Sequence, residues 1–442
     1  MRRAVMQDPV IAAMQQDVAQ QGTKIDIIKD GKRPRLSVNV GRATPLGTDR
    51  TLALQQNIGS EVVVSQVLFD WGKVAAQIEG ANEDRVQLIA DLKKQVETVI
   101  FTISGLYLDA ETAKAKLTAA AEYRQNALKL GDMTQRRTQG GLGDVSETSR
   151  AFLELSRADE RLQSFASDQD IALAQLNLLV GTQNIATQTV PRLDYAPYID
   201  SPMAIYRAIE AAPDYLKANA AMNSAYAEID VAKAATKPTL RAEAIGHPGF
   251  SGGGATSASL GLVLGVDLGM SDLFGRQTQA ARQKYEGSRK RLEGVVRDLK
   301  NQTQSYNRQR QALATSAASL KQQVDQARTV VTTYQEQFSA GVRGMTDLFT
   351  SVQELYSTQL NWIAAADQLR RTEYKAAETL GLQGTLLEAE TGMTVSSLAM
   401  SNKYDESISR MPVQQSVAPF DDPGHSGMLP SMLPINSRET AR

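Results

Sequence analysis

From Gly72 to about Arg137 the apolar positions Ile89, Leu92, Val96, Val99, Ile103, Leu106 and Ala110 follow one another at steps of three and four. That is a heptad seam, and it predicts one long helix with a coiled-coil face. At 1.5 Å per residue the rod is about 100 Å long. It stops at Gly140-Gly141-Leu142-Gly143-Asp144, and a second helix starts near Ser146 and runs to about Leu179. The device returns later in the chain. Leu313, Ala317, Leu320, Val324, Ala327, Val331, Tyr334 and Phe338 form a second seam on a helix that begins near Gly275. Gly341-Val342-Arg343-Gly344 then turns the chain into a helix from Thr346 to Leu380.

Other stretches alternate with period two, the strand signature. Leu36, Val38 and Val40 alternate with Ser37 and Asn39, and Ile58 to Leu68 makes a second strand. Leu240 to Ile245 is a third; in a fourth, Leu260, Leu262, Leu264 and Val266 alternate with Gly261, Val263 and Gly265. Short helices are expected from about Pro9 to Ile28 and from about Pro213 to Ala235, each ending before a proline that forbids continuation.

Self-comparison shows that these elements occur twice. Pro9 and Pro34 lie 25 residues apart, as do Pro213 and Pro238. Gly72-Lys73 faces Gly275-Arg276, Gly141-Leu142 faces Gly341-Val342, and Gly181 faces Gly381. The expected organisation is a first repeat over residues 1–181, a linker over 182–202, a second repeat over 203–384 and a C-terminal extension over 385–442. From about Ser401 the composition turns to Ser, Pro, Met and Gly, which reads as disorder.

Each long helix is about as long as its two short companions together, so two short helices stacked end to end fit along one long helix. The strands constrain the assembly further. Their apolar rows, alternating with small or polar positions, suit a membrane β-barrel. Four strands cannot close a barrel, and open edges are not tolerated in lipid. Two or three chains must therefore share one; spacing alone does not choose between them.

Composition narrows the chemistry. The chain has 442 residues, 22% of them charged, and a formal net charge of −1. No basic excess points to nucleic acid. Aromatics at 5% are few for a compact core but ordinary for a bundle packed with Ala, Leu and Val. With no cysteine there are no disulfides, no thiol catalysis and no cysteine-borne lipid anchor. No apolar run is long enough for a transmembrane helix. The basic start Met1-Arg2-Arg3 lacks the apolar core of a signal peptide. Either the product stays in the cytoplasm or its leader lies upstream of this start.

In this order, twice over, the features resemble the TolC-like outer membrane factor family, the exit ducts of Gram-negative efflux pumps and type I secretion systems. The resemblance covers about Pro9 to Gly384. It rests most on the strand exit Ser65-Gln66-Val67-Leu68-Phe69-Asp70-Trp71-Gly72 and on the paired glycine turns. It implies a mainly α fold with a small β part: tandem coiled-coil hairpins, with four strands per chain contributed to a trimeric twelve-stranded outer membrane β-barrel above a periplasmic α-helical tunnel. The implied partners are two further copies of the chain, a periplasmic adaptor (membrane fusion) protein, an inner-membrane ABC or proton-driven transporter and outer membrane lipid. Small-molecule efflux and type I protein secretion both remain open.

The resemblance also implies a gate. Asp347 falls on the family's constricting acidic ring and Arg343 on its gate-holding arginine. Ser146 and Glu147 match the positions that partner that arginine on an adjacent hairpin. Phe338 stands where a gate tyrosine is usual, and it offers no phenolic hydroxyl. Gly141, Leu142, Gly341 and Val342 match the tips on which the adaptor docks. Thr350 occupies a second acidic position, so only one ring is supported.

Plainer readings stand beside these. Asp347 and Glu147 also suit first-turn carboxylates favoured by the helix dipole, with Ser146 and Thr346 as N-caps. Trp71 is either an interfacial anchor or a packed turn residue. Catalysis, cofactors and metals find no support: His247 and His425, the only two histidines, are far apart, and no zinc spacing exists. The alternative to an export duct is a cytoplasmic coiled-coil scaffold, which the twinned strand pairs oppose.

Overall fold

The structure, a computed structural model, describes residues 2–42, 58–141, 143–181, 190–193, 195–199, 201–247, 257–266 and 275–391. Leu142, His425, residues 43–57, 248–256 and 267–274, and the tail expected to be disordered lie outside them. The first copy runs α1 (Arg2–Gln7), α2 (Pro9–Asp30), β1 (Arg35–Arg42), β2 (Ile58–Phe69), α3 (Lys73–Gln139) and α4 (Val145–Val180). A 3₁₀ turn at Ala196–Tyr198 leads to the second copy. This runs α5 (Pro202–Ala211), α6 (Pro213–Ala235), β3 (Thr239–His247), β4 (Ser257–Gly265), α7 (Arg276–Ser339) and α8 (Met345–Thr379), with α9 (Gln383–Thr391) beyond.

The short helices α1 and α5 extend the repeat beyond what periodicity reveals. Each ends where a proline starts the next helix, Pro9 or Pro213, because proline lacks the N–H that an interior turn needs. Asp8 caps the α1–α2 break by accepting the Val10 and Ile11 N–H groups, both at 2.9 Å. Ser201 caps α5 through Ala204 N–H at 3.1 Å. Six or ten residues carry too few turns for a heptad to show.

Helices α3 and α7 are 67 and 64 residues long. Their companions are 22 and 36 residues in the first copy, and 23 and 35 in the second. The stacking inferred from these lengths is visible at the joints. A Cβ on Gly381, just past α8, would lie 2.6 Å from Pro213 Cδ at the start of α6. A Cβ on Gly181, just past α4, would lie 3.3 Å from Gln7 Oε1 at the end of α1. Along α3, α2 and α6 cover the end nearer the sheet, while α4 and α8 cover the end nearer the turn.

The seams are packing surfaces. Ile89, Leu92, Val96, Ile103 and Ala110 are buried, and Val99 and Leu106 half-buried. On α7, Ala317, Val324, Val331 and Phe338 are buried, with Leu313, Leu320, Ala327 and Tyr334 half-buried between them. Each fully buried large side chain contributes about 1.5–3 kcal/mol. One core gathers Ile100, Leu108, Tyr374, Leu380 and Leu387 at mid-length. A second gathers Leu130, Phe338, Leu348 and Phe349 near the turns.

The four strands form one antiparallel sheet in the order β1-β2-β3-β4. Leu36 faces Val64, Val64 faces Ala244, and Ala244 faces Leu260. Directly opposed residues share a face. One face therefore carries Leu36, Val38, Val40, Val62, Val64, Leu240, Leu260, Leu262 and Leu264. The other is mixed: it carries Arg35, Ser37, Asn39, Glu61, Ser65, Arg241 and Glu243 together with Val63, Val67, Ile245 and Val263. Leu260, Leu262 and Leu264 are 84%, 70% and 70% exposed, as they are for a face that meets lipid. Neither β1 nor β4 has an outer partner within the described residues. Among those residues no helix is long and apolar enough to cross a membrane.

The strand exit explains its own sequence. Asp70 Oδ1 accepts Gly72 N–H at 3.1 Å and Oδ2 accepts Val74 N–H at 2.8 Å, so Asp70 caps the long helix. Trp71 adopts φ 57°, and its indole N–H donates to Pro238 O at 2.7 Å. It packs edge-on against Phe69 and beneath Lys237, yet stays 48% exposed. It thus joins the exit of the first copy to the first strand of the second.

Candidate functional site at the hairpin turns

The two long helices end alike. Gly141 and Gly341 take φ of 73° and 74°, the left-handed region in which an L side chain is strained. Both glycines are exposed, and so is Val342 at 79%.

The helices that leave the turns are not capped as their sequence suggests. Asp144, not Ser146, is the N-cap of α4: its Oδ1 accepts Ser146 N–H at 3.2 Å. Ser146 Oγ donates to Asp144 Oδ2 at 2.6 Å, so this hydroxyl is already engaged. These hydrogen bonds hold the Asp144 carboxyl below its ordinary pKa. Gly344, not Thr346, precedes α8, and it brings no side chain to cap it. The backbone leaves each helix two residues earlier than a Ser/Thr signal places it. Glu147 and Asp347 do lie in the first turns of α4 and α8, where the helix dipole favours acids.

Arg343 is held by its own hairpin. Nη1 donates to Asp347 Oδ2 at 3.3 Å, Nε donates to Gln337 Oε1 at 3.1 Å, and the guanidinium lies 4.0 Å from the centre of the Tyr334 ring. Within the chain neither Ser146 nor Glu147 is among its partners. Asp347 remains half exposed, at 52%, and available to whatever adjoins this turn.

Phe338 is buried at 1% exposure among Met345, Leu348 and Phe349. It does not point into open space. Arg137, in the last turn of α3, lies 4.6 Å from its ring centre and donates from Nη1 to its carbonyl oxygen at 3.3 Å. The sequence reading did not single out Arg137, Tyr334's ring or Gln337 for the turn. For Arg137 a signal existed: α3 ends with two cations, Arg136 and Arg137, while α7 has none in its last turn.

Among the described residues no group of His, Asp and Glu is arranged to hold a metal ion. What the turns present is backbone, small side chains and a charge pair at the end of two long hairpins. The opposite end presents a sheet with one apolar face and, among the described residues, two unpaired edges.

That combination defines a TolC-like channel subunit, and comparison with known proteins agrees. The family model described as outer membrane efflux protein matches residues 1–182 and 204–382. The chain belongs to this family, and so to the outer membrane. It is similar to the alkaline protease secretion protein AprF of Pseudomonas aeruginosa, with 24% identity over 71% of this chain and 66% of that one. It is also similar to protein CyaE of Bordetella pertussis, with 24% identity over 76% of this chain and 73% of the other. The chain thus spans about two thirds to three quarters of these relatives. Among solved structures, the outer membrane protein VceC of Vibrio cholerae superposes with a TM-score of 0.70 at 14% identity, over 86% of this chain and 94% of VceC. At that identity the likeness concerns the fold.

Proposed function

We propose that this chain is one of three identical subunits of an outer membrane export duct that carries cargo from an inner-membrane transporter across the periplasm and out of the cell. The observation that carries this reading is the sheet. Its apolar face suits lipid and its two free edges require neighbours. Three copies of four strands close a twelve-stranded barrel. Residues 1–181 and 203–384 are the two repeats of the subunit, joined by 182–202, with 385–442 as an extension. The paired hairpins extend the barrel into a periplasmic tunnel. The turns at Gly141, Leu142, Gly341 and Val342, of which Gly141, Gly341 and Val342 are exposed, receive the hairpins of a periplasmic adaptor.

The turns are the gate. In a trimer three Asp347 carboxylates approach one axis, repel one another and attract cations. Arg343 tempers each of them and reaches toward Glu147 and Ser146 of the adjoining hairpin when the turns close. Such exposed pairs are worth about 0–1 kcal/mol each, so an adaptor opens the gate at modest cost. Similarity to a protease secretion protein over most of the chain favours a protein cargo.

Two measurements test the reading. The detergent-extracted protein has the mass of a trimer; a monodisperse monomer rejects the barrel. In planar bilayers Arg343→Ala raises single-channel conductance; parental conductance rejects the turn as the gate.

A further inference from the structure

We infer that Arg137 is the residue that locks the two hairpins of one subunit together at the gate, through the ring and the carbonyl of Phe338. The inference rests on the gate reading above and deepens it.

The first observation is electrostatic. Every α-helix presents uncompensated carbonyls and a partial negative charge at its C-terminus, and cations in the last turn offset both. Helix α3 has Arg136 and Arg137 there. Helix α7 ends Tyr334-Gln335-Glu336-Gln337-Phe338-Ser339 with no cation and one acid. The carbonyls at the end of α7 therefore need a cation from elsewhere. Arg137 supplies it: it belongs to the last turn of α3, and its Nη1 donates to Phe338 O in the last turn of α7, 201 residues away in sequence.

The second observation is the ring. Phe338 is almost fully buried, so the guanidinium 4.6 Å from its centre acts where water is largely excluded. A cation over an aromatic face is stronger there than at an exposed site. The planar guanidinium can stack and donate at once, which an ammonium cannot.

The third observation is the division of labour. Arg343, another cation of the turns, contacts Asp347, Gln337 and Tyr334 of its own hairpin and makes no polar or ring contact with α3 among the described residues. Among the described residues Arg137 supplies the charged link from α3 to the end of α7. Nearer mid-length, Arg328 and Glu122 link the same two helices. With Arg137 in place the two turns move as one body. Without it each splays independently, and the gate opens more often. Arg137 is therefore a positioning residue, since its contacts are with the gate helices and not with cargo.

The test is single-channel recording of the full-length protein in planar bilayers, after the trimer has been confirmed by mass. Arg137→Ala is expected to increase the open fraction about tenfold, the equivalent of about 1.4 kcal/mol. Arg137→Lys keeps the charge and recovers only part of the closed dwell. Phe338→Leu removes the ring but keeps the carbonyl, and opens the gate less than Arg137→Ala does. The double variant Arg137→Ala/Phe338→Leu is no more open than Arg137→Ala alone, whereas Arg343→Ala adds to it. Parental gating in Arg137→Ala, with Arg343→Ala still opening the channel, overturns the lock and leaves the gate reading intact. Parental gating in both overturns the gate and the lock together. Should Arg137→Ala fail to assemble, Arg137→Lys with the closed dwell of the parent overturns the lock.

Discussion

Glu122 and Arg328 meet across the two repeats as a two-pronged pair: Nε and Nη2 of Arg328 each lie 3.1 Å from one oxygen of Glu122. Gln359 Nε2 adds a third donor at 2.8 Å. One carboxylate on α3 thereby joins α7 and α8, which follow it in sequence by some two hundred residues. Burial pushes the Glu122 pKa up, but the hydrogen bonds from Arg328 and Gln359 outweigh it and leave the value below the ordinary one. A group whose folded pKa is depressed stabilises the fold above its unfolded pKa, and that contribution is lost as pH falls through the folded value.

A double-mutant cycle on Glu122→Gln and Arg328→Ala is therefore expected to give a coupling of about 1 kcal/mol at pH 7, since both side chains are partly solvated. The coupling shrinks in strong salt and is lost as the pH falls through the depressed pKa of Glu122. Thermal unfolding of the four proteins measures it; additive effects at pH 7 refute it.

Asp347 is half exposed at the turn and pairs only with Arg343 of its own hairpin among the described residues. Asp347→Asn removes the charge while keeping the shape. It is expected to bring the cation-to-anion permeability ratio toward unity and to weaken block by multivalent cations. Reversal potentials in a salt gradient measure the first effect, and an unchanged ratio places the selectivity elsewhere.

Glu97 is buried on α3, where it accepts the N–H groups of Gln383 at 3.0 Å and Gly384 at 3.3 Å at the start of α9. Burial pushes its pKa up to about 7; the two backbone donors and Lys93 oppose this, and Glu378 on α8 reinforces it. The sign is the reverse of that for Glu122. The folded state holds a proton that the unfolded state has released, so the contribution is complete at low pH and lost as pH rises through about 7. Between pH 6 and 8 the parent is expected to lose about 1 kcal/mol that Glu97→Gln does not lose. Equal pH dependence in the two proteins contradicts the assignment.

Gly381→Ala is expected to destabilise the subunit by at least about 2 kcal/mol. The residue has φ 66°, and a methyl group would meet Pro213 at 2.6 Å, backbone-bound and unable to yield. The measure is a lowered unfolding temperature. Gly105→Ala, inside α3 with open space around an added methyl, is the comparison and is expected to keep or raise the unfolding temperature.

The sequence by itself determined the elements and their order. A heptad shows where a helix must bury a stripe, alternation shows where a sheet has two unlike faces, and both are local periodicities. Seam residues Ile103 and Ala110 on α3, and Val331 and Phe338 on α7, are buried as their spacing demands. Relative helix lengths were enough to foresee that the short helices stack end to end; the structure places the joints at Gly181 and Gly381. The family was legible for the same reason: its signature is an order of elements repeated twice.

Only the tertiary structure decided what the charged residues do. Arg343 turns to Asp347, Gln337 and Tyr334, and Ser146 to Asp144, because those choices depend on where the backbone leaves each helix. Arg137 finds Phe338, and Arg328 finds Glu122, because α8 packs against both α3 and α7 and brings the two within reach of an arginine side chain. Glu97 follows the seam residue Val96 and would read as a solvated flank. It is buried because α9 covers it. The contacts of Arg137, Arg328 and Glu97 join residues about two hundred or more positions apart. No local period encodes them, since they are fixed by which helix faces dock and not by either helix alone.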